Sequence, residues 1–230
     1  MPPTRYSHSR LSCYETCPFQ YKLKYVDRVE ATLGTTIEAF VGSTVHRSLE
    51  WLYSLARDGR VATRGELVEK YEALWKAEWN DDIRIIKKEL GVENYRSNGQ
   101  KWVKQYWDRY QPFHQGITID LECQVDIDLP GGRKVMGYID RLEKVGNKHF
   151  VVHDYKTNRK LPTSDETAND RQLALYALGI QQRYPDLEKI DLVWQFVRLD
   201  EEVWSQRTDE QLRTMARETT TLIETIEAKV

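Results

Sequence analysis

Cysteine is scarce in this chain: three residues in 230. An odd, small number excludes a disulfide framework and points to a reducing compartment, the cytoplasm. Long apolar runs are absent. No stretch approaches the ~20 residues of a membrane span. The opening MPPTRYSHSRLSCYETCP has no apolar core of a secretory signal, so neither membrane nor export is expected. No G-x-x-x-x-G-K-[ST] occurs, and LPGGRK at 129–134 is not one, which excludes an ATP motor of the phosphate-loop type. Repeats and low-complexity linkers are missing too. A strong net charge is also lacking: 34 Lys and Arg against 36 Asp and Glu give −2. The whole molecule therefore does not announce a nucleic-acid binder.

The composition that remains is globular, 40% apolar and 30% charged. The length fits one domain over 1–230, with a mainly helical part to about 115, a sheet core over 116–200 and a last helix over 208–230. Charge is uneven along it. KTNRK at 156–160, with Arg171, makes one basic group; Arg5, Arg10, Lys22, Lys24 and Arg28 make a looser one. Ordinary solvated side chains explain such groups as well as a binding groove does.

Periodicity divides the chain. Ser7 or Ser9 caps a short helix that Pro18 ends. Val41, Val45, Leu49, Leu52 and Ala56 form one stripe of a helix over 36–57. Two Trp- and Tyr-rich helices follow over 64–80 and 94–113. From Ile117 to Leu129 apolar and polar residues alternate strictly, the signature of a half-buried strand. PGG turns the chain at 130–132, and strands at 133–144 and 149–156 join around Gly146-Asn147. A helix over 170–184, a strand over 190–199 and a last helix behind the capping box TDEQ complete the order. This is an α/β or α+β core, a mixed sheet flanked by helices.

The third strand carries the chemistry. Phe150, Val152, Asp154 and Lys156 share one face, while Val151, His153 and Tyr155 share the other. A carboxylate beside an ammonium at a strand end suits metal-assisted phosphodiester cleavage. Carboxylate oxygens hold Mg²⁺ or Mn²⁺, which activates water, and the lysine stabilises the transition state. One carboxylate is a poor site, and Asp140 is the nearest second. A D-x-K by itself is more often a surface ion pair. Here Asp140 follows a glycine, a histidine lies upstream and a Gln-x-x-x-Tyr helix lies downstream. The site has a register condition. A two-residue Gly146-Asn147 turn would pair Asp140 with His153 and set the aspartates on opposite faces, so a three- or five-residue turn or a bulge is required. The carboxylates must also approach within roughly 5 Å, given ~2.1 Å metal–oxygen bonds. His46 has Gly42 a turn before it and Glu50 a turn after; a lone helical histidine is usually structural. Glu122 reads as solvent-facing or supporting rather than as a ligand.

SHSRLSCYETCPFQYKLKYV, FVGSTVHRSLE, VMGYIDRLEK, VVHDYKTNRK and RQLALYALG, in that order, resemble the motifs of the PD-(D/E)XK nuclease superfamily. The branch they are most similar to is the nuclease domains of the RecB and AddB recombination proteins and their stand-alone relatives. The resemblance implies a restriction-endonuclease-like core and a Mg²⁺- or Mn²⁺-dependent deoxyribonuclease. It implies His46, Asp140, Asp154 and the Tyr155 carbonyl as metal ligands, and Lys156 as the catalytic lysine. Gln172 and Tyr176, one helical turn apart, would contact substrate or hold Lys156, although helix packing explains them equally. Arg10 and Tyr14 would meet DNA. Many relatives hold an iron–sulfur cluster through a cysteine matching Cys17 and three later ones. No cysteine follows Cys123 here, and four thiolates are needed, so no cluster is expected.

The leading expectation is thus a DNA exonuclease of repair, recombination or mobile-element processing. A nuclease-fold module that binds DNA and cuts slowly is the alternative, against which the intact Asp140, Asp154 and Lys156 speak. A helicase or recombination partner docking on Trp51, Trp75, Trp79, Trp102 and Trp107 is a third reading; such residues are more often core.

Overall fold

A computed structural model describes residues 5–29, 34–87 and 90–229. Ser7 ends the two-residue strand β1 (Tyr6–Ser7) and caps α1 (His8–Thr16), its hydroxyl accepting from the Arg10 N–H at 3.2 Å. After the short α2 (Pro18–Tyr21) come three longer helices, α3 (Ile37–Arg57), α4 (Arg64–Glu78) and α5 (Val92–Tyr110). Val41, Val45, Leu49 and Leu52 of α3 are buried together with Trp75 and Trp102, while Trp51, Trp79 and Trp107 pack half-buried at the edge of the same cluster.

The sheet contains β2 (Ile117–Asp128), β3 (Lys134–Lys144), β4 (His149–Lys156), β5 (Lys189–Phe196) and β6 (Glu201–Ser205), besides β1. Between β4 and β5 lie α6 (Ser164–Ala168) and α7 (Arg171–Arg183); α8 (Asp209–Lys229) follows β6. Thr208 caps α8 through the expected box, its N–H donating to Gln211 Oε1 at 2.8 Å. β1 and β5 pair in parallel with β3 and β4; the other pairs are antiparallel. The protein is a mixed α/β fold with a central sheet flanked by helices. One face packs α1, α7 and α8; the other packs α3, α4 and α5. Three elements, β1, α6 and β6, are too short or too polar to show in the sequence pattern. Among the described residues no helix is long and apolar enough to cross a membrane.

Two departures from regularity shape the sheet. The alternation expected over 117–129 holds only from Cys123 onward. A bulge between Thr118 and Asp120 reverses the start, exposing Ile117 (69%) and burying Thr118 (7%). β3 also divides one of its edges. β2 covers the whole of the other edge, while β1 takes only Val135–Met136 and β4 only Arg141–Lys144. Residues 137–140 lie in the gap between them.

Candidate active site

The turn after β3 decides which residues meet. Val145 N–H donates to the His149 carbonyl at 2.8 Å, closing a three-residue turn over Gly146, Asn147 and Lys148, with Gly146 at φ +78°. The two-residue turn is therefore not formed. The register continues as Arg141↔His153, which sets Asp140 across from Asp154. β3 leaves β4 at this point, and Asp140 replaces the missing ladder partner: its Oδ2 accepts from the Tyr155 N–H at 2.6 Å.

A second register brings in a residue that the sequence set aside. Glu122 stands between the rungs Leu121↔Arg141 and Cys123↔Ile139, across from Asp140. Both strands lose their pleat here. Leu121 packs on the α3–α5 side and Cys123 on the α7–α8 side, where an unbroken strand turns both one way. Glu122 has φ +46°, a left-handed value uncommon outside glycine. His46 approaches from α3, its Nδ1 3.3 Å from Asp140 Oδ1. One ligand atom from each of His46, Glu122 and Asp140 lies within 4.8 Å of the others. Glu122 is exposed, as its strand position suggested, yet it also belongs to this cluster. The PGG turn held the clue. Leu129 N–H bonds the Arg133 carbonyl, and counting back from that three-residue turn aligns Glu122 with Asp140.

Asp154 is not part of that trio; it turns to Lys156. The Lys156 ammonium contacts Asp154 Oδ2 and donates to Gln172 Oε1 at 3.0 Å, and Gln172 Nε2 donates to the Tyr176 hydroxyl at 3.0 Å. Gly137 makes room for this arm, since a Cβ there would sit 2.6 Å from Tyr176 Cε1. Gly42 of α3 similarly admits Thr157, whose Oγ1 is 3.0 Å from the position of a Cβ. Arg10 and Tyr14 are placed elsewhere. Tyr14 is 8% exposed and packs edge-on against Tyr21 at 5.3 Å, a core position rather than a contact surface. The Arg10 guanidinium lies among Tyr6, Tyr21 and Tyr25, 4.9–5.4 Å from their ring centres.

Electrostatically the site crowds carboxylates together. Burial raises Asp154 to about 6, with Lys156 offsetting only part and Asp140 adding to the rise. Burial, Asp140 and Glu50 raise Glu122. Burial pushes His46 down, but its hydrogen bond to Asp140 and the surrounding carboxylates hold it above the ordinary value. Asp154 Oδ2 is buried and makes no well-directed hydrogen bond. Crowded carboxylates and an imidazole fit a divalent metal ion.

The profile of the PD-(D/E)XK nuclease superfamily matches residues 5–230. The chain belongs to this superfamily. A solved structure of a candidate exonuclease from Eubacterium rectale aligns with this PD-(D/E)XK chain at TM-score 0.54 and 12% identity. The alignment covers 96% of this chain and 81% of that one, a likeness of fold. The structure of SSO0001, 15% identical over 93% of this chain and 82% of its own, reaches a TM-score of only 0.34, too low to bear on function. No curated protein matches the chain.

Proposed function

We propose that this PD-(D/E)XK chain is a Mg²⁺- or Mn²⁺-dependent deoxyribonuclease of the RecB/AddB type. In this reading it degrades DNA from strand ends during repair, recombination or mobile-element processing. The convergence of Asp140, Asp154 and Lys156 at the gap in the β3 edge carries the reading. His46, Asp140, Asp154 and the Tyr155 carbonyl would hold the metal, with Glu122 as a further carboxylate. Such an ion, when bound, makes hydroxide available near neutral pH and neutralises phosphate charge. Asp140 fixes the Tyr155 peptide through its 2.6 Å hydrogen bond. Lys156 keeps its proton: burial works against the ammonium, but the Asp154 charge more than compensates. Gln172 and Tyr176 hold that ammonium beside the scissile phosphate, where it stabilises developing charge. A helicase partner would supply the free strand.

The test is digestion of end-labelled linear and closed circular DNA with Mg²⁺, Mn²⁺ or chelator. Linear DNA is degraded, circles are spared and chelator stops the reaction. Asp154→Ala abolishes cleavage while the protein keeps its unfolding transition; cutting at the wild-type rate by this variant would overturn the assignment.

A further inference from the structure

The parallel register of β4 and β5 pairs Asp154 with Trp194 and Lys156 with Phe196. Two aromatic residues therefore stand beside the carboxylate–lysine pair, and the Lys156 ammonium is 5.9 Å from the Trp194 ring centre. Past Lys156 the chain runs through the basic KTNRK stretch into Leu161 and Pro162. Those two residues close a recess of about 220 Å³ against Trp194, Phe196 and the lysines at 156 and 160. Leu161, Pro162, Trp194 and Phe196 give it an apolar side, and Lys156, Lys160, Asn158 and Glu166 a polar one with two cations against one carboxylate. Leu161 is 39% exposed, an apolar side chain in a polar loop. Trp194 is 7% exposed, and its indole N–H has no hydrogen-bond partner among the described residues. A buried indole N–H is normally satisfied.

We propose that this recess receives one unstacked nucleobase of the strand being cut, next to the phosphate held at Asp154 and Lys156. This rests on the nuclease reading above and specifies its substrate. The space admits one nucleoside and not a base pair, so the strand must be unpaired where it is cut. Every base offers a flat face to the apolar side and acceptors on its edge, so the site is tolerant of sequence. Lys160, exposed and lining the recess, meets a flanking phosphate. The basic cluster thus has a role that the metal chemistry alone does not require of it.

The experiment uses end-labelled single-stranded oligodeoxynucleotides, each with one abasic residue moved position by position, with Mn²⁺ as the metal. Cleavage by the wild-type protein falls about tenfold at one fixed offset from the abasic residue, the loss of a single stacked base. In Leu161→Gly, a change in an exposed loop, the intact strand is cut more slowly and the abasic penalty shrinks. Trp194→Phe, which keeps a ring and removes the N–H, shows the same pattern more weakly. Cleavage of intact strands with no abasic penalty at any offset overturns the pocket and leaves the nuclease standing, as does blunt duplex cut as fast as single strand. Failure to cut any DNA overturns both.

Discussion

Lys156 and Glu122 are the residues whose roles can be separated most cleanly. Lys156 touches Asp154 and Gln172 but supplies no metal ligand. Lys156→Met keeps most of the stem and removes the charge. DNA binding then weakens modestly, with the salt dependence lowered by about one ion. The cleavage rate falls on the order of 10²–10³, because a charge acting on the transition state affects rate more than binding. Equal small losses in both, read by binding isotherms and single-turnover rates, make Lys156 a phosphate anchor only. Glu122 stands within 4.8 Å of His46 and Asp140. Glu122→Gln keeps its shape, so the metal concentration needed for half-maximal activity rises at least about tenfold. An unchanged metal titration assigns Glu122 to the rim.

At the scale of elements, the α7 arm depends on a glycine of β3. Gly137→Ala places a methyl group 2.6 Å from the Tyr176 ring, which is 5% exposed and cannot swing into solvent. Overpacking of this kind costs about 1–3 kcal/mol. Urea unfolding measures that cost, and a second change, Tyr176→Leu, recovers part of it by opening the space. Full additivity of the two changes would show that the glycine serves some other contact. The same arm carries Gln172, so Gly137→Ala also slows cleavage.

Across the whole molecule, a buried ionic group ties the sheet to the α3–α5 layer. The Arg141 guanidinium lies 4.0 Å from the Tyr53 ring centre, donates to His153 Nδ1 at 3.0 Å and pairs with Glu143 at 3.1 Å. His153 Nε2 is 2.6 Å from Glu143 Oε2, so the imidazole carries its proton on Nε2 and donates it to the carboxylate. Burial pushes Glu143 up, but the His153 hydrogen bond and the Arg141 charge overcome this and hold it below the usual range. Glu143→Gln leaves Arg141 without its buried counter-charge and costs about 3–5 kcal/mol at neutral pH. A carboxyl with a depressed folded pKa stabilises fully above its unfolded value, about 4.3, and loses that contribution as pH falls through the folded value. The gap between wild type and variant in urea unfolding therefore narrows on acidification; a gap independent of pH refutes the ionised pair.

Features legible without the fold are local and periodic. The α3 stripe, the Ser7 and Thr208 caps, and the shared face of Asp154 and Lys156 follow from spacing of 3.6 and 2 residues, which any short segment carries within itself. The order of the family motifs was equally legible. Register belongs to the tertiary structure, because it is set by how a turn closes and which edges remain to be paired. The three-residue turn over 146–148 set Asp140 across from Asp154, a condition the residues allowed without enforcing. The reversed pleat at Glu122 and Asp140 lets one rung address helices on both faces, and no alternation pattern encodes it. Tyr14 sits one helical turn from Arg10 in the sequence, yet packing against Tyr21 takes it into the core. The opening in the β3 edge exists because β1 and β4, about 140 residues apart in the chain, each cover only part of it.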